Sequence, residues 1–328
     1  MEKIAVIGSN SFSGSHFIDT VLENTDYDVI AISRSPEKNP IFLPYKKREN
    51  NRVRFFQIDL NHDVNKIIEI FKKENVKFVV NYAAQGMVGQ SWINSEQWFQ
   101  TNCLAVISLT TELRKLPSIK KYVHISTNEV YGPCNNITES AHLNPTTPYA
   151  TSKAAADMFL QNLITQFNFP ANLVRSTNVY GPGQQLFRII PRSIIYTKIN
   201  KKISLHGGGK AVKSYLHIKD NCEATLKIME SGIPGEIYHL SPDSGISIRE
   251  IVKKVCNKVG KDFDESVKIV EERMGQDSEY TLNSNKIRNE LNWKPKIDFD
   301  SGLDECIDWV NKNWEVIKAQ PWEYIHKE

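Results

Sequence analysis

The chain has 328 residues, of which 40% are hydrophobic and 24% charged, as in an ordinary globular protein of one large or two modest domains. A net charge of +3 gives no reason to expect nucleic acid or a membrane as a partner, and no apolar run approaches the ~20 residues of a membrane span. Five scattered cysteines without a Cys-x-x-Cys pair and eight dispersed histidines predict reduced thiols, a cytoplasmic location and no metal site.

Short apolar runs alternate with helical patterns through roughly the first 175 residues. Helices are predicted near 17–22, 67–71 and 98–116 and after Pro148, and strands at 4–7, 29–32, 53–58, 78–80, 122–125 and 172–175. This order predicts an α/β fold with a Rossmann-type doubly wound parallel sheet. Ligands of such sheets bind beyond the carboxyl ends of the strands, so the residues that follow strands are the functional candidates.

The alternation breaks after about residue 175, where prolines and glycines separate short elements. Amphipathic helices are predicted at 248–259 and 302–314, within a smaller C-terminal α/β substrate domain. We therefore predict two domains. The first comprises residues 1–175 with about 213–240, and the second, which we expect to bind the substrate, comprises residues 176–212 with 241–328.

A glycine-rich turn joins the first predicted strand to the first helix and contains Gly8, Ser11, Phe12 and Gly14. Small residues at such a turn let the backbone approach a pyrophosphate at the helix N-terminus. Serine at the middle position keeps the close approach, although a positive φ there would be strained. The turn therefore predicts dinucleotide binding.

The residues that follow the second, third and fourth strands should select the cofactor. An acidic residue after the second strand would hold the ribose 2′-hydroxyl of NAD, whereas this chain has Ser33 and Arg34 there. A guanidinium suits a 2′-phosphate, which favours NADP while leaving NAD open. Asp59 is predicted to contact the adenine amino group, and Ala83, Ala84 and Gln85 permit another close approach.

Tyr149 and Lys153 lie four residues apart in a predicted first helical turn, and so share one helix face. An ammonium beside a phenol favours the phenolate, so Lys153 is expected to lower the pKa of Tyr149 and make it a proton acceptor. The fifth strand runs into Thr127, Asn128 and Glu129, which place a hydroxyl and a carboxylate at the same edge of the sheet.

These motifs together resemble the extended short-chain dehydrogenase/reductase family and, within it, the nucleotide-sugar 4,6-dehydratases. Gln85 and Arg34 resemble the GDP-mannose branch, and the overall likeness is to bacterial GDP-N-acetylglucosamine 4,6-dehydratases of legionaminic acid synthesis. The resemblance covers nearly the whole chain, through the turn and loops above and through residues 178–182, 207–220, 273–277 and 290–295.

The resemblance implies a redox cycle on one hexose ring. Tyr149 would take the C4 hydroxyl proton, Thr127 would hold the C4 oxygen, and Lys153 would position the cofactor ribose. Glu129 would remove the C5 proton, and the product would be a 4-keto-6-deoxy sugar. NADP or NAD would stay tightly bound and be regenerated in each turnover. Asn128 replaces the aspartic acid that protonates the leaving hydroxyl in dTDP-glucose enzymes, and an amide cannot do so, which leaves Glu129 or a water held by Asn128 as the acid.

The resemblance also implies ligand contacts and an assembly. It adds Leu60 and Asn102 to the cofactor site and places substrate contacts at Gln85, Asn178, Arg188, Lys213 and Arg273. The helices 98–116 and 149–167 would pair across the axis of a homodimer or a higher homo-oligomer.

Three other functions are weighed against dehydration. A 4-epimerase needs no carboxylate at Glu129, and the loop of residues 83–88 argues against a UDP-glucuronate decarboxylase, which also has a Thr-x-Glu loop. A non-catalytic NAD(P)-binding regulatory protein usually lacks one of Thr127, Tyr149 and Lys153, all of which are present here.

Overall fold

The computed structural model describes residues 1–48, 51–271 and 279–327. Within these residues the strands are, in chain order, β1 (Lys3–Ile7), β2 (Asp28–Ser33), β3 (Val53–Gln57), β4 (Phe78–Asn81), β5 (Lys121–Ile125), β6 (Cys134–Ile137), β7 (Ala171–Ser176), β8 (Asn178–Tyr180), β9 (Ile203–His206), β10 (Val212–Lys213), β11 (Tyr215–His217), β12 (Ile237–Leu240), β13 (Ile246–Ser247), β14 (Val267–Val270) and β15 (Glu279–Leu282).

The α-helices of the described residues are α1 (Phe12–Asn24), α2 (Val64–Glu74), α3 (Val88–Ser91), α4 (Ser95–Phe99), α5 (Ala105–Leu113), α6 (Pro148–Phe167), α7 (Ile189–Lys198), α8 (Ile218–Ser231), α9 (Ile248–Lys258), α10 (Phe263–Ser266), α11 (Asn285–Leu291), α12 (Phe299–Lys312) and α13 (Trp314–Ile317). Short 3₁₀ turns occupy Pro40–Phe42, Pro44–Lys47, Asn128–Tyr131 and Gly207–Gly209. No described helix is long and apolar enough to cross a bilayer.

The main sheet has seven strands in the order β12-β7-β5-β4-β1-β2-β3, and every neighbouring pair is parallel. Its interior strands are buried on both faces, because Ile4 and Val6 of β1 enter one apolar cluster with α1 and α8. Ala5 and Ile7 enter a second cluster with α2, α5 and α6 on the opposite face. This arrangement confirms the predicted Rossmann-type doubly wound fold.

The carboxyl ends of β1, β2, β4, β5 and β7 meet at one edge of the sheet. A third apolar cluster, formed by side chains of α7, α9 and α12, lies outside the two sheet clusters. Strand β12 joins the main sheet beside β7, so residues 237–240 return to it although β8 to β11 precede them in the chain.

Two predicted helices differ from those observed. The predicted helix 98–116 instead runs from α4 through a π-helical segment at Gln100–Leu104 into α5 and ends at Leu113. A π segment takes one extra residue per turn, and such segments often occur at functional sites. The predicted helix 302–314 begins earlier as α12, because the Asp298 carboxylate accepts a hydrogen bond from the Ser301 amide and caps the first turn.

Candidate active site

The turn between β1 and α1 is shaped for close approach of a ligand. Gly8 has φ +83°, and a Cβ there would lie 2.6 Å from the Ala83 nitrogen. A Cβ on Gly14 would collide with the Gly8 carbonyl oxygen. Ser11 has φ −71° and its hydroxyl accepts from the Gly14 amide at 3.0 Å, so serine is unstrained at this position and caps α1.

The same turn leaves polar groups available beside the helix N-terminus. Ser9 is buried, and its hydroxyl has no partner among the described residues. The amide groups of the first helical turn and the small side chains around them match a pyrophosphate in charge and size. These residues therefore fit a dinucleotide cofactor.

The residues after β2 and β3 lie at the edge of this turn. The Arg34 guanidinium donates from Nη2 to the Lys327 carbonyl oxygen at 3.0 Å, and the Arg34 carbonyl accepts from Gln57 at 3.2 Å. Ser33 closes β2, Leu60 is buried, and the Asp59 carboxylate accepts from the Asn61 amide at 2.9 Å.

The loop after β4 is held in place by Asn102. The Gln85 amide donates to Asn102 Oδ1 at 2.8 Å, and Asn102 Nδ2 donates to the Gln85 carbonyl at 3.0 Å and to Ser152 at 3.0 Å. Asn102 lies in the π segment and is fully buried, so its amide fixes the loop of Ala83, Ala84 and Gln85. Gln85 in turn donates from Nε2 to the Lys327 carbonyl at 3.0 Å.

The loop after β5 brings the predicted hydroxyl and carboxylate together. Thr127 caps the turn Asn128–Tyr131 and accepts from the Glu129 amide at 3.2 Å. Asn128 is buried, with its Oδ1 3.4 Å from the Thr127 hydroxyl. Helix α6 begins beside this loop, because Thr147 caps it by accepting from the Ala150 amide at 3.1 Å and Pro148 occupies the first helical position.

Tyr149 projects from the first turn of α6 toward the loop that carries Thr127 and Glu129. Burial and the Glu129 charge raise the pKa of Tyr149, while a hydrogen bond with Thr127 and the Arg188 charge act in the opposite direction. The expectation that Lys153 lowers the pKa of Tyr149 is wrong for this structure. The penalty for a buried phenolate outweighs the neighbouring cations, and Lys153 points elsewhere.

Lys153 is fully buried, and its ammonium group is held by β5. Nζ donates to the Ile125 carbonyl at 2.7 Å and lies 3.1 Å from His124 Nε2. Burial lowers the pKa of Lys153 to about 8, against the opposing Asp157 charge. Burial and the charges of Lys153 and Arg175 lower the pKa of His124 well below its ordinary value. A neutral His124 can therefore accept a hydrogen bond from the ammonium through Nε2.

A buried ion pair that the sequence analysis missed supports this region. The Asp157 carboxylate accepts from Arg175 Nε at 3.0 Å and from the Ser126 hydroxyl at 2.8 Å, and all three side chains are buried. Arg175 Nη1 also donates to the Tyr131 hydroxyl at 2.5 Å. The network ties both ends of the Thr127–Glu129 loop to α6 and β7. Its sequence signal is Asp157, one helical turn beyond Lys153 on the face that carries Tyr149.

A cavity of about 1610 Å³ joins the cofactor turn, the catalytic loop and the C-terminal region. The predicted residues that line it are Ser11, Phe12, Ala84, Gln85, Thr127, Asn128, Glu129, Tyr149, Asn178, Arg188 and Lys213. Gly8, Gly14, Ser33, Arg34, Asp59, Leu60, Ala83, Asn102 and Lys153 are not among its lining residues. Arg273 lies outside the described residues.

One part of the cavity wall is cationic and aromatic. Arg188 is half-buried and donates from Nη2 to the Gly86 carbonyl at 3.3 Å. Arg192 and Tyr215 line the same space, as do Glu323 and Tyr324 from the 321–327 segment, and the sequence analysis identified none of these four. Two arginines and a lysine beside aromatic rings can bind a nucleoside diphosphate.

Within the described residues no group of three or more histidine, cysteine, aspartate or glutamate side chains could hold a metal ion.

Comparisons with known proteins place these features in a family. The family model described as GDP-mannose 4,6 dehydratase matches residues 6–306. The dTDP-D-glucose 4,6-dehydratase of Mus musculus is 30% identical over 327 residues, covering 95% of this chain and 90% of the relative. The dTDP-glucose 4,6-dehydratase of Haemophilus influenzae is 28% identical, covering 94% of this chain and 98% of the relative. The structure of DesIV, a dTDP-glucose 4,6-dehydratase from Streptomyces venezuelae with NAD and TYD bound, superimposes with a TM-score of 0.89 at 28% identity, covering 96% and 98% of the two chains.

Proposed function

This chain belongs to the GDP-mannose 4,6 dehydratase family of nucleotide-sugar 4,6-dehydratases, and we propose that it converts a nucleoside-diphosphate hexose to the 4-keto-6-deoxy sugar. The observation that carries the proposal is the meeting of Thr127, Glu129 and Tyr149 on one wall of the cavity, beside the turn at Ser11. A phenol, a hydroxyl and a carboxylate around one hexose are the groups that this reaction requires.

The bound nicotinamide would supply the chemistry of accepting a hydride from C4 of the sugar and returning it to C6. Tyr149 takes the proton of the C4 hydroxyl, and Thr127 donates a hydrogen bond to the C4 oxygen. Glu129 removes the C5 proton, which the new C4 ketone has made acidic. Lys153 lies one helical turn beyond Tyr149, and we propose that its ammonium, which in this structure donates to the Ile125 carbonyl, would contact the nicotinamide ribose when the cofactor is bound.

The acid that protonates the departing C6 hydroxyl is Glu129 in this proposal. Asn128 occupies the position of the aspartic acid of dTDP-glucose enzymes, and an amide neither gains nor loses a proton near neutral pH. Asn128 is buried and close to Thr127, which suits a role in shaping the loop. Glu129 takes the proton from C5 and returns the same proton to the leaving oxygen. One carboxyl group therefore accounts for both proton transfers of the elimination.

We propose NAD as the cofactor. Solved relatives hold NAD, including the structure from Streptomyces venezuelae. Arg34 was the residue that favoured NADP in the sequence. Its Nη2 donates to the Lys327 carbonyl in the structure, so this group is not directed to a 2′-phosphate. Ser11, Phe12, Ala84, Gln85 and the amides of the first turn of α1 would hold the cofactor on one side of the cavity, with Gly8 and Gly14 providing the close approach.

For the nucleotide we propose a GDP-hexose, GDP-N-acetylglucosamine being one candidate. Asn128 supports this choice, because the GDP-mannose branch also lacks the aspartic acid. The relatives reported above act on dTDP-glucose by name, so dTDP-hexoses are the direct competitors. Asn178, Arg188 and Lys213 would contact the nucleotide sugar, with Arg273 a further proposed contact.

The remaining expectations also stay proposals. We propose that the chain divides as predicted into 1–175 with about 213–240, and 176–212 with 241–328. A homodimer is supported by the exposure of Leu104 and Met158, which are 51% and 57% exposed on the two helices expected to pair, and light scattering tests it. The five cysteines form no disulfide within the described chain, which supports a cytoplasmic location.

The test is a product assay with cofactor analysis. Mass spectrometry of the purified protein identifies any bound nicotinamide cofactor and distinguishes NAD from NADP. Incubation with GDP-, UDP- and dTDP-hexoses should then give a product lighter by one water. Loss of carbon dioxide from UDP-glucuronate would instead mark a decarboxylase, and an isomer of unchanged mass a 4-epimerase. Absence of water loss with every hexose, in protein shown to hold its cofactor, would refute the proposed function.

A further inference from the structure

Residues 321–327, called here the strap, run across the mouth of the cavity from one wall to the other. At their start Trp322 stacks on Trp314 with ring centroids 6.4 Å apart, and its Nε1 donates to the Ile317 carbonyl at 2.9 Å. The next residue, Glu323, accepts from the Tyr196 hydroxyl. The strap is therefore anchored first on the region of α7 and α13.

The far end of the strap contacts the dinucleotide side of the cavity. The His326 ring stacks on Trp98 of α4, with centroids 5.5 Å apart and planes inclined by 9°. His326 Nε2 lies 2.5 Å from Gln97 Oε1, and its Nδ1 lies 3.0 Å from the Tyr324 hydroxyl. The amide oxygen of Gln97 accepts only, so Nε2 carries the proton and Nδ1 accepts from Tyr324. One ring nitrogen thus holds the strap to α4 through Gln97, and the other makes a hydrogen bond within the strap to Tyr324.

The carbonyl of Lys327 completes the crossing. It accepts from Arg34 Nη2, beyond β2, and from Gln85 Nε2, beyond β4, each at 3.0 Å. Strand β1 lies between β2 and β4 in the sheet, and neighbouring strands are about 4.8 Å apart. One carbonyl therefore spans the space outside the carboxyl end of β1, where the Gly8 turn is placed to receive a dinucleotide.

The central part of the strap forms part of the cavity wall. Glu323 and Tyr324 line the cavity, and the Tyr324 ring packs edge-to-face on Phe187 with centroids 5.2 Å apart. Ile325, between Tyr324 and His326, points away and is 60% exposed. The polar and aromatic groups of the strap thus face the cleft, while its aliphatic side chain faces solvent.

We infer that the strap is a cofactor-binding element that closes over the nicotinamide dinucleotide and holds it in the cleft between turnovers. The inference rests on the proposed function. In that reaction the cofactor is reduced and reoxidised within one catalytic cycle, so its loss halfway would leave the sugar oxidised and the enzyme unable to finish. Because the strap is anchored on both sides of the cleft, it would slow dissociation of the cofactor without contacting the reacting atoms.

The test measures release of the cofactor and does not depend on turnover. The full-length enzyme is loaded with NADH and mixed with a large excess of NAD, and the decay of bound NADH fluorescence gives the dissociation rate. His326→Ala removes the stacking on Trp98. Trp322→Ala frees the opposite anchor, which is remote from Arg34, Gln85 and Trp98. Ile325→Ala is the matched control within the strap.

We expect both anchor variants to release NADH about tenfold faster than the parent, since one ring contact with its hydrogen bond contributes about 1–1.5 kcal/mol. Ile325→Ala should release it at the parental rate. Equal dissociation rates in parent and anchor variants would overturn the inference. Anchor variants that bind NADH faster but release it at the parental rate would also overturn the inference, because the strap would then only block entry of the cofactor. If the parent enzyme binds no NADH at all, the proposed function itself fails, and this result differs from either of the others.

Discussion

Replacing Glu129 with glutamine tests the double role of this carboxylate. Glutamine keeps the length of the side chain and removes its ability to exchange a proton. Glu129 and Glu323 are the two carboxylates among the described residues that line the cavity, and Glu129 is the one whose charge acts on Tyr149. Glu323 lies in the strap, where it accepts from the Tyr196 hydroxyl. Within the described residues, no second carboxylate at the catalytic wall can take over the two proton transfers.

General acid–base catalysis contributes about 10²- to 10⁴-fold to a rate. Since Glu129 serves as both base and acid, we expect a loss near the upper end, about 10³- to 10⁴-fold in water elimination, which corresponds to about 4–5.5 kcal/mol of activation free energy. Oxidation at C4 depends on Tyr149 and Thr127 and should continue in this variant. Reduced nicotinamide should therefore accumulate in a single turnover.

The assay follows three signals in one reaction. Absorbance reports reduced nicotinamide, proton NMR in deuterated water reports exchange at C5, and mass spectrometry reports loss of water. The matched control is Glu265→Gln, on an exposed position of the short helix α10, which should behave as the parent. A Glu129→Gln enzyme that eliminates water within about tenfold of the parental rate would refute the assignment. A water held by Asn128 could then be the acid, although a different base would also be required.

Three further perturbations follow from the buried contacts. Tyr149→Phe should reduce the rate of C4 oxidation by about 10³-fold in single-turnover kinetics. Because burial raises the pKa of Tyr149, the rate of the parent enzyme should increase with pH through neutrality, and a rate that does not change with pH would contradict a phenolate base. His124→Leu removes the acceptor that lies 3.1 Å from Lys153 Nζ and should shift the pH–rate profile. His124→Gln keeps an acceptor and should restore most of the parental profile. Equal profiles in the two variants would exclude this positioning role. Arg175→Met leaves the buried Asp157 carboxylate unpaired and should lower the free energy of unfolding by about 3–5 kcal/mol in urea titrations. The double variant with Asp157→Leu should recover part of that loss. A single variant as stable as the parent would show that the ion pair does not stabilise the fold.

Much of the fold followed from local patterns in the sequence. Strands buried on both faces read as continuous apolar runs, so β1, β2 and β4 were predicted to within a residue or two of their bounds. The π segment at Gln100–Leu104 was not predicted from the sequence pattern. The start of α12 was missed because its capping residue, Asp298, lies before the apolar stripe that defined the prediction.

The candidate site divides in the same way. Gly8, Thr127, Glu129 and Tyr149 could be identified because each lies in a short motif whose chemistry depends on neighbours in the chain. The side-chain partners of Lys153 and Asp157 could not, because His124 is 29 residues from Lys153 and Arg175 is 18 residues from Asp157.

The sequence by itself determined the alternating strands and helices, the glycine turn and the catalytic loop, since hydrophobic period and turn chemistry are local properties of the chain. Tertiary structure alone decided that Lys153 turns to His124 and that burial raises the pKa of Tyr149. It also decided that Lys327 reaches Gln85 across a separation of 242 residues. Such contacts depend on which elements pack together and how much water they exclude, and these are properties of the folded chain as a whole.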